Sequence, residues 1–199
     1  AMASLPLLGH PGEQFVYSSS PDILAALIEH FTGQTVAEFL QERIFDPLGM
    51  DATGYNLTEK QQQRMVQLHM KNKEGRMISS PRQVPMTGNT IHGGAAGLFS
   101  TADDYLKFCQ MLLNGGKSNG QQFLSPKTIE LMTLNHVGDM YDYPGLGFGL
   151  GFGVTTDLVE SQSLGSLCMY CWSGTFNTQF FIDPHEELTA IIRTQSSPY

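Results

Sequence analysis

The chain has 199 residues, 41% of them hydrophobic, enough for one good-sized domain or two small ones with a packed core. Lys and Arg number 11 against 19 Asp and Glu, a formal charge of −8 with no long run of either sign, which argues against nucleic acid or an anionic membrane surface as partner. No apolar run reaches the roughly 18 residues of a membrane span, and no charged leader precedes an apolar stretch at the start. No membrane partner is therefore expected.

Ala1 ahead of Met2 reads as a tag remnant at the head of a cut piece. Ser20 and Pro21 then give a helix start, and Ile23, Leu24, Leu27, Ile28 and Phe31 recur at helical spacing up to Gly33. The spacing predicts a helix over 20–32 with one buried face. Thr35 opens a second helix, with Val36, Phe39, Leu40 and Ile44 on its stripe, which "DPLGM" is expected to stop. Residues 51 to 96 have little periodicity and read as long loops with short strands. Ser100 is the expected cap of a helix over 101–113, with Asp103 in its first turn and Tyr105, Leu106, Phe108, Cys109, Leu112 and Leu113 apolar. "SPKTIELM" predicts a short helix over 126–133.

After residue 144 the composition turns to glycine, aromatic and β-branched residues. "GFGLGFGV", "SLCMYCW", "TFNTQFFID" and "ELTAIIRTQ" read as successive antiparallel strands, the last two joined at "DPHE". Helices first and sheet last make an α+β fold, with a mostly helical and loop part over 1–140 and antiparallel strands over 141–199.

Cys109, Cys168 and Cys171 are an odd set that suggests no disulfide framework. Cys168 and Cys171 form a C-x-x-C in what reads as a strand, where an offset of three points the side chains to opposite faces, and no second pair completes a metal site. The six histidines have no ligand spacing. Neither a metal nor a cofactor is expected.

The residues with chemical potential lie in two segments. Tyr17 precedes a helix N-terminus, where a nearby cation would ease loss of its proton, although a tyrosine there is also ordinary core or turn filler; Ser18, Ser19 and Ser20 read first as caps. "WSGTF", Trp172 to Phe176, is a strand whose small residues admit a ligand or another backbone, and whose edge could donate an N–H to a developing oxyanion; a bulge is the plainer reading.

Taken with "LPLLGHPGEQFVYSSSPDILAALIEHFTGQTVAEFLQERIFDPLGMDATGY" and "GGAAGLFSTADDYLKFCQMLLNGG", these segments resemble the penicillin-recognising serine hydrolases: class C β-lactamases, D-Ala-D-Ala peptidases and β-lactamase-like esterases. The resemblance runs in order through nearly the whole chain and implies the β-lactamase/transpeptidase-like fold. It makes Tyr17 the general base of a Tyr-x-Asn motif, with Ser19 where asparagine is frequent. It makes Trp172, Ser173 and Gly174 an esterase-like Trp-x-Gly motif, with a backbone oxyanion donor near Gly174 or Thr175. Ser19 departs from the family's pattern, and the Trp-x-Gly motif lacks the lysine that would grip a β-lactam carboxylate.

The family's nucleophile motif, Ser-x-x-Lys, is absent: no serine here has a lysine three residues on. The resemblance therefore implies the C-terminal portion of a longer hydrolase, inactive or nearly so alone, whose parent acts on esters, small amides or β-lactams through an acyl-serine. A non-catalytic binding or interaction module is the alternative, and Ser19 or Ser173 as a substitute nucleophile a third. A piece of this kind uncovers apolar faces, so a homo-oligomer is expected. Members of the family occur in the periplasm and the cytoplasm, and the compartment stays open.

Overall fold

The computed structural model describes residue 4, residues 6–82 and residues 84–197; Ala1 and Met2, with the tag reading that rests on them, lie outside the described residues. Helix α1 (Ser20–Thr32) ends at Gly33, whose left-handed φ of 71° would strain any side chain. Its cap position is Ser19 rather than Ser20, and no side chain caps it; Ser18 and Ser20 instead share a hydroxyl hydrogen bond of 3.1 Å. The expected buried face is not formed. Ala25 is the buried residue of α1, packing with Val36 and Tyr55, while Ile23, Leu24, Leu27 and Phe31 are exposed, Phe31 by 79%. The helix meets its neighbours along the Ala25 and Ile28 side, so its stripe of larger side chains faces outward.

Helix α2 (Val36–Leu40) opens with a reciprocal box: the Glu38 N–H donates to the Thr35 hydroxyl at 3.2 Å and the Thr35 N–H to the Glu38 carboxylate at 2.8 Å. A π-helical turn follows over Gln41–Phe45, and α3 (Asp46–Leu48) continues to Gly49. "DPLGM" therefore ends the helix at glycine, not at proline. Pro47 occupies the first turn of α3, where a missing amide hydrogen costs least, and the Asp46 N–H bonds back to Gln41 across the wider turn.

Residues 51 to 96 contain loops, a hairpin of β1 (His69–Lys71) and β2 (Met77–Ser79), and a short helix α4 (Glu59–Gln62) that the loop reading misses. Helix α5 (Ala102–Leu113) is capped by Thr101, whose hydroxyl accepts the Asp104 N–H, one residue later than expected. A hairpin of β3 (Lys117–Ser118) and β4 (Gln121–Gln122) leads to α6 (Pro126–Met132), capped by Ser125, and a 3-10 turn at Gly138–Met140.

The sheet comprises β5 (Leu146–Phe148), β6 (Gly153–Thr155), β7 (Tyr170–Gly174), β8 (Thr178–Asp183) and β9 (Leu188–Arg193), antiparallel throughout and in chain order, with α7 (Leu158–Ser161) between β6 and β7. "GFGLGFGV" is thus a hairpin of two strands, with the turn at its middle. Cys168 stands ahead of β7 with a φ of 67°, so the two cysteines do not share a strand, and both are free thiols. The β7–β8 ladder is regular from Tyr170↔Ile182 to Gly174↔Thr178, with no bulge.

That register puts Tyr170, Trp172, Phe180, Ile182 and Ile191 on one face. Helix α5 packs there, and a core of Leu48, Cys109, Met111, Leu112, Val154, Tyr170 and Ile182 forms between helices and sheet. The fold is α+β.

Candidate functional site

The segment ahead of α1 is neither helix nor strand, and it carries Phe15 and Tyr17. Both reach the sheet. The Tyr17 ring lies 5.6 Å from that of Trp172 on β7, and the Phe15 ring 5.0 Å from that of Phe148 on β5. Between those strands, β6 places Gly153 beneath the Trp172 ring, 3.7 Å from where a Cβ would stand. With no side chain there, Trp172 reaches across and meets Phe148 edge-on at 5.0 Å.

The start of α1 is anchored from the other direction. The Asp22 carboxylate accepts the Ala95 N–H at 2.9 Å, and a side chain at Gly94 would collide with the Pro21 carbonyl. The glycines of "GGAAG" thus let that loop lie directly on the first turn of α1, just beyond Tyr17.

Tyr17, Trp172, Ser173, Gly174 and Thr175 line one open cavity of about 1050 Å³ with Phe15, Tyr141 and Tyr143. Tyr17 is 70% exposed. Ser19 stands at the cap of α1, where its carbonyl accepts the Asp22 N–H at 2.9 Å, and is not among the lining residues. Gly174 is tight for a reason internal to the sheet: an added Cβ would lie 2.5 Å from the Thr178 hydroxyl opposite it.

Among the described lining residues Asp142 is the acid, and there is no lysine, arginine or histidine. Burial raises the Cys171 thiol above its ordinary range, and burial followed by Tyr143, Cys171 and Tyr17 raises the Tyr141 phenol, so both stay protonated at neutral pH. The Arg82 guanidinium lies over the Phe176 ring at 5.1 Å, one residue beyond Thr175. No group of acidic, histidine or cysteine side chains among the described residues could hold a metal, and no helix among them is long and apolar enough to cross a membrane.

Phe15, Tyr141, Tyr143 and Phe148 are cavity or wall residues that the sequence reading does not single out. The alternation in "FVY" and "YDY" is the signal available for them, since residues two apart in an extended chain share a side. The alternation does not say which side faces a cavity.

Three known proteins are similar to this chain. Protein Rv1367c of Mycobacterium tuberculosis (strain ATCC 25618 / H37Rv) is 30% identical over 211 residues, covering 100% of this chain and 53% of that protein. Lovastatin esterase of Penicillium rubens is 32% identical over 142 residues, covering 69% of this chain and 34% of the esterase. The solved structure of EstCE1, a hydrolase with promiscuous acyltransferase activity, superposes with a TM-score of 0.88 at 24% identity, covering 99% of this chain and 55% of that one, and shows the shared β-lactamase/transpeptidase-like fold. The chain spans about half the length of Protein Rv1367c. The family model described as Beta-lactamase matches residues 1–199 from end to end, and the chain belongs to that family of serine hydrolases and their relatives.

Proposed function

We propose that this chain is part of a serine hydrolase that acts on esters or small amides, β-lactams included, through an acyl-serine. Tyr17 is its general base, and the backbone N–H near Gly174 or Thr175 holds the oxyanion. The observation that carries this reading is the meeting of Tyr17 with Trp172 and the end of β7 around one cavity. In the reaction a serine hydroxyl attacks the substrate carbonyl while Tyr17, as general base, takes its proton. The negative charge that collects on the carbonyl oxygen is held by the strand N–H until the alcohol leaves. Trp172, Ser173, Gly174 and Thr175 contact the substrate, and Ser19, outside the cavity lining, serves the start of α1 instead.

The nucleophile comes from outside these 199 residues, because no serine among them has a lysine three residues on. The chain alone is inactive or nearly so. Hydrolysis of a p-nitrophenyl ester and a chromogenic cephalosporin tests this, comparing the chain, a longer protein that includes a Ser-x-x-Lys segment, and that protein with Tyr17→Phe. Activity is expected in the longer protein and a loss of about 10²-fold or more with Tyr17→Phe, the scale of a general base. Activity of the 199-residue chain itself, dependent on Tyr17, would overturn the assignment and turn attention to Ser19 and Ser173.

A second reading, a non-catalytic interaction module, draws on the exposed Leu24, Leu27 and Phe31 of α1 and on Leu7 and Leu8. In both readings these apolar side chains favour association of the chain with a second copy of itself. A monodisperse monomer by light scattering at micromolar concentration counts against that association.

A further inference from the structure

The wall of the cavity is a run of aromatic rings without a break. From Tyr17 it passes to Trp172 at 5.6 Å, to Phe148 at 5.0 Å, to Phe15 at 5.0 Å and Tyr141 at 5.3 Å, and ends with Tyr143 stacked on Tyr141 at 4.8 Å. The rings come from three separate parts of the chain and are not part of the core, whose aromatic contacts link Tyr105, Phe152, Tyr170 and Phe180. Tyr17 and Tyr143, at the two ends of the row, are open to water, by 70% and 60%, and Phe15, Tyr141, Phe148 and Trp172 between them are half-buried. A half-exposed aromatic row, five of whose six rings line the cavity, is a surface for a ligand.

Charge narrows what it would take. The described lining offers Asp142 and no cation, and the Cys171 thiol and Tyr141 phenol beside it are uncharged at neutral pH. A carboxylate seated along the rings, away from the strand N–H at the Gly174 end, would lose its water shell and meet an acid, with no cation among the described lining residues to replace the water. An uncharged aromatic group would stack on rings already spaced for offset or edge-on contact, which adds to the gain from burial alone.

We propose that the ring wall selects substrates whose acyl group is aromatic and uncharged, seated along Trp172 and Tyr141, which Phe148 packs against, with its carbonyl at the Tyr17 and Gly174 end. Which end reacts rests on the function proposed above; the wall's preference does not. A cavity of about 1050 Å³ leaves room for such a group.

The chain contains one tryptophan, Trp172, and it stands in the wall, so its fluorescence reports occupancy without any chemical step. The probes are 3-phenylpropanamide, the carboxylate 3-(4-carboxyphenyl)propanamide, whose charge lies on the ring, and the saturated 3-cyclohexylpropanamide. The phenyl amide is expected to give a saturable change, with the carboxylate about ten-fold weaker for want of a counter-charge and the cyclohexyl amide about three-fold weaker for want of stacking. Phe148→Leu should weaken the phenyl amide about three-fold or more. Tyr143→Ala, at the exposed end of the row, should weaken it to a smaller extent and keeps the test valid should Phe148→Leu not fold.

Equal or tighter binding of the carboxylate overturns the proposal, and its loss in Arg82→Gln would assign recognition to that guanidinium instead. Equal binding of the cyclohexyl amide, or no saturable change with the phenyl amide, overturns it as well. If the phenyl amide binds as expected while the longer protein fails to hydrolyse esters, the proposed function fails and the ring wall stands. Hydrolysis with no preference for aromatic acyl groups has the opposite meaning.

Discussion

Cys109 lies fully buried beneath the sheet, and that burial pushes its thiol up to about 11 from an ordinary 9.0. Burial, followed by the nearby Cys109 thiol, also raises the phenols of Tyr105 and Tyr170. Each group keeps its proton in the folded chain at pH values where the unfolded chain has lost it. For the thiol that stability is complete below 9.0 and is lost as pH rises towards 11, and for the phenols the loss begins near 10.0 and continues beyond that window, by up to about 1.4 kcal/mol per pH unit for each retained proton. Urea unfolding across that window should show the decline, and Cys109→Ala should make it shallower while the phenols keep their share. An unchanged slope in the variant would show that the thiol titrates alike in both states. The chemical identities of Tyr17, Trp172, Ser173, Gly174 and Thr175 are plain in the sequence; their meeting at one cavity is not, because Tyr17 and Trp172 stand 155 positions apart.

Helices α1 and α5 look alike as sequence, each with a serine or threonine ahead of a spaced apolar stripe. In the fold they differ. Leu112 of α5 is buried at 2% against the sheet, whereas Phe31 of α1 is 79% exposed. Leu112→Ala should cost about 2–5 kcal/mol, the loss of a core leucine with the cavity it leaves. Phe31→Ser should change stability by about 0.5 kcal/mol or less, as surface changes do. Urea denaturation of the two variants distinguishes the cases, and a large loss for Phe31→Ser would mean that α1 is covered in solution. The bounds of both helices follow from local signals and are readable to within a residue. Capping and periodicity act over a few neighbours, so they fix where a helix begins and ends but not which surface lies against its stripe. The π-helical turn before Pro47 and the small helix α4 fall outside what periodicity conveys, since each is only a turn or so long.

For the molecule as a whole, the proposed association through the exposed Leu24, Leu27 and Phe31 should depend on concentration and on that face. Leu24→Ser with Phe31→Ser should shift light scattering towards the monomer, while Leu188→Ser on β9, half exposed, tests whether the sheet edge contributes instead. No change with either variant would place the contact elsewhere or show that there is none. The sequence by itself determined the order of elements, the α+β class, the charge balance, the two motif segments and the lack of a Ser-x-x-Lys, because each is a matter of composition, short-range spacing or neighbouring residues. Only the tertiary structure decided that α1 leaves its larger apolar side chains in water, that "GFGLGFGV" folds back on itself, and that rings from residues 15 to 17, 141 to 148 and 172 form one wall. Those outcomes depend on which distant surfaces meet, and side-chain burial is a property of the pair in contact, not of either segment alone.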